Sequence, residues 1–234
     1  MKTVKRQNKL KFKSNVCLPA GQASLSAAQT GLPTRQSLAS SGQARGKIFV
    51  ISGPSGSGKT TLLTSLIQDK KIGKLLVKSC SMTTRPKRSQ EREAKEYFFV
   101  GTLEFKRLLK AKKILEWTRY LGYYYGTPRE SLEKQLKGAK NIGLCLDLKG
   151  ARIIKKIYPN DTVTIFVLPP SLGVLKERMQ NRSRQTNPRE VARRLLLARK
   201  ELQAAGEFDY CILNQNLPIA LKELKSIFLQ ESSA

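Results

Sequence analysis

The chain is constrained most by one stretch, Gly53-Pro54-Ser55-Gly56-Ser57-Gly58-Lys59-Thr60. It lies between the apolar run Ile48-Phe49-Val50-Ile51 and the helix-patterned Thr61-Leu62-Leu63-Thr64-Ser65-Leu66-Ile67. Strand, glycine-rich turn and helix, in that order, is the context in which this spacing binds phosphate. Glycines at 53, 56 and 58 permit backbone conformations closed to residues with a Cβ, so successive N–H groups can converge on one anion. The N-terminus of the following helix adds partial positive charge. Lys59 is then expected to reach the β- and γ-phosphates of ATP, with Thr61 beside it. The Thr60 hydroxyl would ligand a magnesium ion.

A length of 234 residues suits one compact domain with an appendage, or two small domains. Lys and Arg number 44 against 17 Asp and Glu, giving a net charge of +27. Such a field attracts polyanions and speaks of partners rather than of fold. No apolar run approaches the ~18 residues that span a bilayer, so a soluble chain without a membrane partner is expected. Histidine is absent, which excludes imidazole bases and imidazole metal ligands. Cys17, Cys80, Cys145 and Cys211 are too scattered to form a metal-ligand spacing. Three of them sit in or beside apolar strand-like runs, where a reduced, buried thiol is expected, and a reducing compartment with it.

Residues 1–46 carry eight basic side chains and no acidic one, with Ser, Ala, Gln and Gly filling the rest after Pro19. This stretch cannot bury enough apolar area to offset its ordering entropy, and it reads as a disordered basic extension. Its lack of acids also suits an organelle-transit segment, so a cytoplasmic location is expected, with plastid or mitochondrion as the alternative.

From Lys47 onward strand-like and helical periods alternate. Apolar runs at 48–51, 76–80, 97–100, 142–148, 162–168 and 210–214 predict strands. Helical spacing appears at about 59–68, 103–110, 129–137, 150–157, 171–181, 188–203 and 217–230. Strand and helix in turn predict an α/β fold of three layers, a parallel sheet flanked by helices, with ligands at the carboxyl ends of the strands. Segment 81–127 breaks this rhythm with short β pieces, a short helix and a Tyr-rich hairpin, and reads as a small mixed β insertion into a core of 47–80 and 128–230.

That insertion supplies a second set of ligands. Ser81-Met82-Thr83-Thr84-Arg85-Pro86-Lys87-Arg88 places two arginines three apart, each able to fork onto phosphate oxygens. Downstream come Glu91, Tyr97-Phe98-Phe99, Glu116 and Tyr123-Tyr124-Tyr125-Gly126-Thr127. Two arginines and tyrosine hydroxyls can cradle a monophosphate. A carboxylate a base-length away accepts from the paired N–H donors that guanine offers and adenine lacks.

At these residues the sequence resembles the guanylate kinases, over about 47–230. The family pattern Ser-x-Thr-Thr-Arg-x-x-Arg stands at Ser81, Thr83, Thr84, Arg85 and Arg88. Tyr-Phe-Phe, Leu-Glu and Tyr-Gly-Thr stand at 97–99, 115–116 and 125–127. The resemblance implies transfer of the ATP γ-phosphate to GMP or dGMP, with Arg85, Arg88, Tyr97 and Tyr125 on the acceptor phosphate. Ser81, Glu116 and Thr127 would meet the guanine. It implies an Arg-bearing helical lid at about 178–194, with Arg178, Arg182 and Arg194 over the transferring group. Asn214 would lie beside the adenine, and Asp147, expected at the end of a strand, on the acceptor and on magnesium. No nucleic-acid motif accompanies the charge, and a monomer or homodimer is expected.

The chain departs from the family pattern at several places. Gln90 and Ala94 stand where the pattern has glycines, so a different turn is expected there. Cys145 replaces an aspartate that the resemblance assigns to the guanine side, which predicts weakened GMP binding. Lys149 replaces a glutamine, and Gln215 an aspartate. The rival reading is a catalytically inactive domain of the same fold that binds a protein partner. Such domains usually lose the phosphate-loop lysine or glycines, whereas Lys59 and all three glycines are present here.

Overall fold

The computed structural model describes residues 46–89, 91–181 and 187–232. The expectation for residues 1–46 therefore lies, Gly46 apart, outside the described residues. The strands are β1 (Ile48–Ser52), β2 (Leu76–Lys78), β3 (Ser81–Thr83), β4 (Tyr97–Phe99), β5 (Ile114–Tyr120), β6 (Tyr123–Pro128), β7 (Asn141–Cys145), β8 (Thr162–Leu168) and β9 (Tyr210–Leu213). The helices are α1 (Lys59–Gln68), α2 (Thr102–Lys110), α3 (Arg129–Lys137), α4 (Leu148–Ile157), α5 (Leu172–Asn181), α6 (Pro188–Gln203) and α7 (Leu217–Ser232).

Strands β2, β7, β1, β8 and β9 form one sheet in that order, every pair parallel. β1 is buried along its whole length, as a central strand covered on both faces must be. Alternation sends its side chains to two cores. Phe49 and Ile51 pack with Leu62 and Leu63 of α1 and with Leu224 and Phe228 of α7. Ile48 and Val50 pack with Leu132 and Leu136 of α3 and Ile154 of α4. These are the three layers expected. Because β7 and β8 flank β1 on opposite sides, a crevice opens at the carboxyl end of β1, where the glycine-rich loop lies.

A second sheet, ordered β4-β3-β6-β5, is mixed: β3 runs parallel to β4 and antiparallel to β6. The adjacent threonines of the arginine motif pin it together. Thr83 Oγ1 donates to the Tyr124 carbonyl at 3.0 Å, and Thr84 Oγ1 accepts from the Tyr124 amide at 2.9 Å. Phe105 of α2, fully buried, stacks on Tyr124.

Strand β7 ends earlier than the apolar pattern suggests. The run 142–148 was expected as strand, but Asp147 already caps α4, its Oδ1 accepting from the Gly150 amide at 2.8 Å. An aspartate is a strong N-cap, and here that preference outweighs the apolar continuity of Leu146 and Leu148.

Candidate active site

The crevice is a cleft of about 1590 Å³ bounded by the glycine-rich loop, the second sheet, α5 and α6. On the loop side Gly53, Gly56 and Gly58 all have positive φ, at 132°, 85° and 101°. A Cβ on Gly58 would lie 2.1 Å from Asn214 Nδ2, so the loop needs glycine here for space as well as conformation. Gly53, Ser55, Gly56, Gly58, Lys59, Thr60 and Thr61 line the cleft. Pro54 and Ser57, also expected on the nucleotide, are buried and do not line it. The Ser57 amide is spent inside the loop, donating to the Pro54 carbonyl. Lys59 Nζ donates to the carbonyls of Gly53 and Pro54 at 2.5 and 2.9 Å, which holds its ammonium over the loop.

Asn214, expected beside the adenine, lines the cleft and also braces the loop. Its buried side-chain amide donates to the Ser57 carbonyl at 2.7 Å, bracing the loop from the far end of the chain, while its backbone carbonyl accepts from Arg178 at 3.2 Å. Arg194 is paired with Glu190 one turn earlier on α6. Both arginines line the cleft; Arg182 lies outside the described residues.

Across the cleft, Glu91 gathers the arginine pair. Arg85 Nη2 reaches its two carboxylate oxygens at 2.7 and 2.9 Å, the Arg88 amide donates at 2.9 Å, and the Arg88 guanidinium approaches to 3.6 Å. Burial acts to raise the Glu91 pKa, but these donors outweigh it and hold the carboxyl below its usual range. The Arg85 guanidinium also stacks over Tyr97 and Phe99, and Tyr97 meets Tyr125 edge-on. Arg85, Arg88, Tyr97 and Tyr125 thus form one cradle. Glu91 was noticed in the sequence without a role; its spacing from Arg85 and Arg88 was the available signal.

Glu116 stands on the cleft wall with 4% of its surface exposed. Burial pushes its pKa up to about 7; Thr127 lowers it, Asp147 raises it, and Lys149 lowers it. Thr127, expected on the base, is itself fully buried and donates to Glu116 Oε1 at 2.6 Å. It orients the carboxylate instead of facing the cleft. Ser81 lines the same wall. Trp117 lies half-buried beneath the Lys149 ammonium, which is 5.0 Å from its ring centre.

A family model described as guanylate kinase matches residues 45–231. The chain belongs to the guanylate kinase family. A guanylate kinase from Synechococcus sp. is 43% identical over 188 residues, covering 80% of this chain and 84% of that one. One from Synechocystis sp. is 40% identical over 187 residues, 80% of this chain and 95% of the other. The crystal structure of guanylate kinase from Anaplasma phagocytophilum superposes with a TM-score of 0.68 at 30% identity, over 82% of this chain and 89% of that one.

Two departures from the guanylate kinase pattern take on a different meaning in the fold. Cys145 was expected on the guanine side. It instead ends β7 beside β1, with Lys59 and Lys78 as electrostatic neighbours and the Thr60 hydroxyl within hydrogen-bonding reach. Burial raises its thiol pKa. Position 145 therefore lies on the side of the glycine-rich loop, and Asp147 is the carboxylate whose charge acts on Glu116. Ala94, where the pattern has glycine, takes the left-handed conformation itself, at φ 58°. Glycine would take this conformation without strain; Gln90 lies outside the described residues.

Proposed function

We propose that this chain transfers the γ-phosphoryl group of ATP to GMP or dGMP, giving ADP and the guanosine diphosphate. One observation carries the reading: an anion-binding loop and an Arg-Tyr cradle face each other in a single cleft, with a buried carboxylate at the cradle's far end. A protein-binding module on the same fold is not favoured, since it has no use for three positive-φ glycines and a lysine held over them.

In this reading the loop amides, Lys59 and Thr61 hold the donor phosphates. Arg85, Arg88, Tyr97 and Tyr125 hold the acceptor phosphate and screen its charge, so that one anion can approach another. Arg178 and Arg194 border the gap where the transferring group passes. Glu116, oriented by Thr127, accepts from guanine N1–H and N2–H₂, and Asp147 flanks it. Ionised Glu116 would leave the adenine N1 lone pair facing an acceptor, which discriminates against AMP. No general base is required, because the second pKa of a phosphate monoester is about 6.

The donor loop suits a magnesium-bound nucleotide. Thr60 is exposed at the first turn of α1, facing the cleft, with the loop amides and Lys59 beside it. Thr60 would hold the cation directly and Asp147 through water, and magnesium bound there would neutralise phosphate charge. We place the protein in the cytoplasm; the N-terminus of the mature native protein, determined by mass spectrometry, distinguishes this from an imported, processed form. A coupled assay with ATP, magnesium and GMP tests the activity. Turnover with GMP and not with AMP is expected, and binding of ATP without GMP turnover would overturn the kinase reading.

A further inference from the structure

Strand β5 runs along the cleft wall, and three of its residues at alternate positions line the cleft: Glu116, Thr118 and Tyr120. Alternate residues share one face, so these side chains project into the cleft side by side. Four residues of strand separate Glu116 from Tyr120 by about 13 Å. That span is comparable with an extended nucleoside monophosphate. If Glu116 reads the base, the same strand delivers Tyr120 to the phosphate end.

The surroundings of Tyr120 differ from those of the cradle tyrosines. Its hydroxyl is buried and meets no hydrogen-bond partner among the described residues, although Ser55 of the phosphate loop approaches it. Arg194 and Glu201 of α6 and Tyr125 of β6 are its other electrostatic neighbours. Two of these also carry unpaired buried atoms, Arg194 Nε and Glu201 Oε2. Glu201 lies in turn within the fields of Lys59 and Asp147. Two elements remote in sequence, β5 and α6, therefore bring unpaired polar atoms together where the loop and the cradle meet. Buried polar groups are nearly always paired in folded proteins, so this grouping points to a ligand that completes it. Burial pushes the Tyr120 pKa up to about 12, which keeps the hydroxyl a hydrogen-bond donor throughout the working pH range.

We propose, resting on the kinase reading above, that the Tyr120 hydroxyl donates a hydrogen bond to the phosphate chain at the junction of donor and acceptor. It acts there in addition to Tyr97 and Tyr125, which belong to the acceptor cradle. Arg194 Nε presents a second donor to the same place. Glu201, an electrostatic neighbour of both Tyr120 and Lys59, borders the same place. Tyr120 is thus a phosphate-contacting residue that lies outside the motifs quoted from the sequence.

The test compares the wild-type protein with Tyr120→Phe, which keeps the ring and removes one oxygen. Calorimetry with a dinucleoside polyphosphate joining adenosine to guanosine reads the junction without turnover. A hydrogen bond to a charged group corresponds to roughly tenfold to a hundredfold in affinity. A loss of that size is expected for the linked ligand and for kcat, with GMP alone and ADP alone bound within twofold of wild type. The thermal midpoint should not fall, since a buried unpaired hydroxyl is being removed. Linked-ligand affinity and kcat within twofold of wild type would overturn the proposal, as would a loss confined to GMP alone. Should wild type bind the linked ligand yet turn over no GMP, the kinase reading falls while the calorimetric comparison still judges Tyr120.

Discussion

In the proposed reading the two walls of the cleft hold anions by opposite means. The donor wall is made of backbone: three positive-φ glycines shape the loop, and the nearby side chains mostly serve the loop itself. The acceptor wall is made of side chains set on several strands, each oriented by another residue: Arg85 by Glu91, Glu116 by Thr127, Tyr97 by Tyr125. A backbone site tolerates exchanges among side chains and fails when a dihedral is barred. A side-chain site fails one contact at a time.

The largest effect should come from Gly58→Ala. The new Cβ meets the Asn214 amide and forces a left-handed alanine, which costs about 1–2 kcal/mol from conformation alone. Denaturant unfolding should show a loss of at least that size, and ATP binding should disappear while the cradle is untouched. Adding Asn214→Ala should recover part of the stability, and no recovery would refute the steric account.

Glu116→Gln tests the other wall. Losing a charged acceptor for two guanine donors should raise the Kd for GMP roughly tenfold to a hundredfold, leaving ATP affinity unchanged. The same residue gives the walls different pH behaviour. Guanine needs the ionised carboxylate, and the Glu116 pKa is raised to about 7. GMP affinity should be full above that pH and fall as pH drops through it, approaching about tenfold per unit, whereas ATP affinity should not follow this titration. GMP affinity flat between pH 6 and 8 would show that Glu116 is not the reader of the base.

Cys145→Asp decides to which wall position 145 belongs. The magnesium concentration needed for half-maximal ATP binding should fall several-fold, with GMP affinity within twofold; a tighter GMP site would restore the assignment made from sequence. The smallest effect expected is from Ala94→Gly, which relieves a left-handed alanine and should stabilise the fold by up to about 1 kcal/mol in urea.

The same contrast explains what could be read without coordinates. The donor loop is contiguous, and its glycines, lysine and flanking periods announce a strand, a turn and a helix. The layers and the parallel sheet follow from those periods. The acceptor residues were identifiable by motif, but their division of labour was not. Thr127 and Glu116 are eleven residues apart and meet only because β5 and β6 pair with a register shift near Glu116. Cys145 and Asp147, two apart, would share a face if β7 continued through both. Because Asp147 caps α4 instead, the chain turns between them, and one faces the loop while the other faces Glu116. Glu91, Tyr120 and Glu201 acquire meaning only from neighbours remote in sequence.

The bond from Asn214 to the Ser57 carbonyl joins residues 157 positions apart. During synthesis the glycine-rich segment leaves the ribosome long before its brace does. A nascent chain stalled before β9 would present the motif in full and still lack the strut behind Gly58. Competence to hold the triphosphate should therefore arrive late, when the final strand docks.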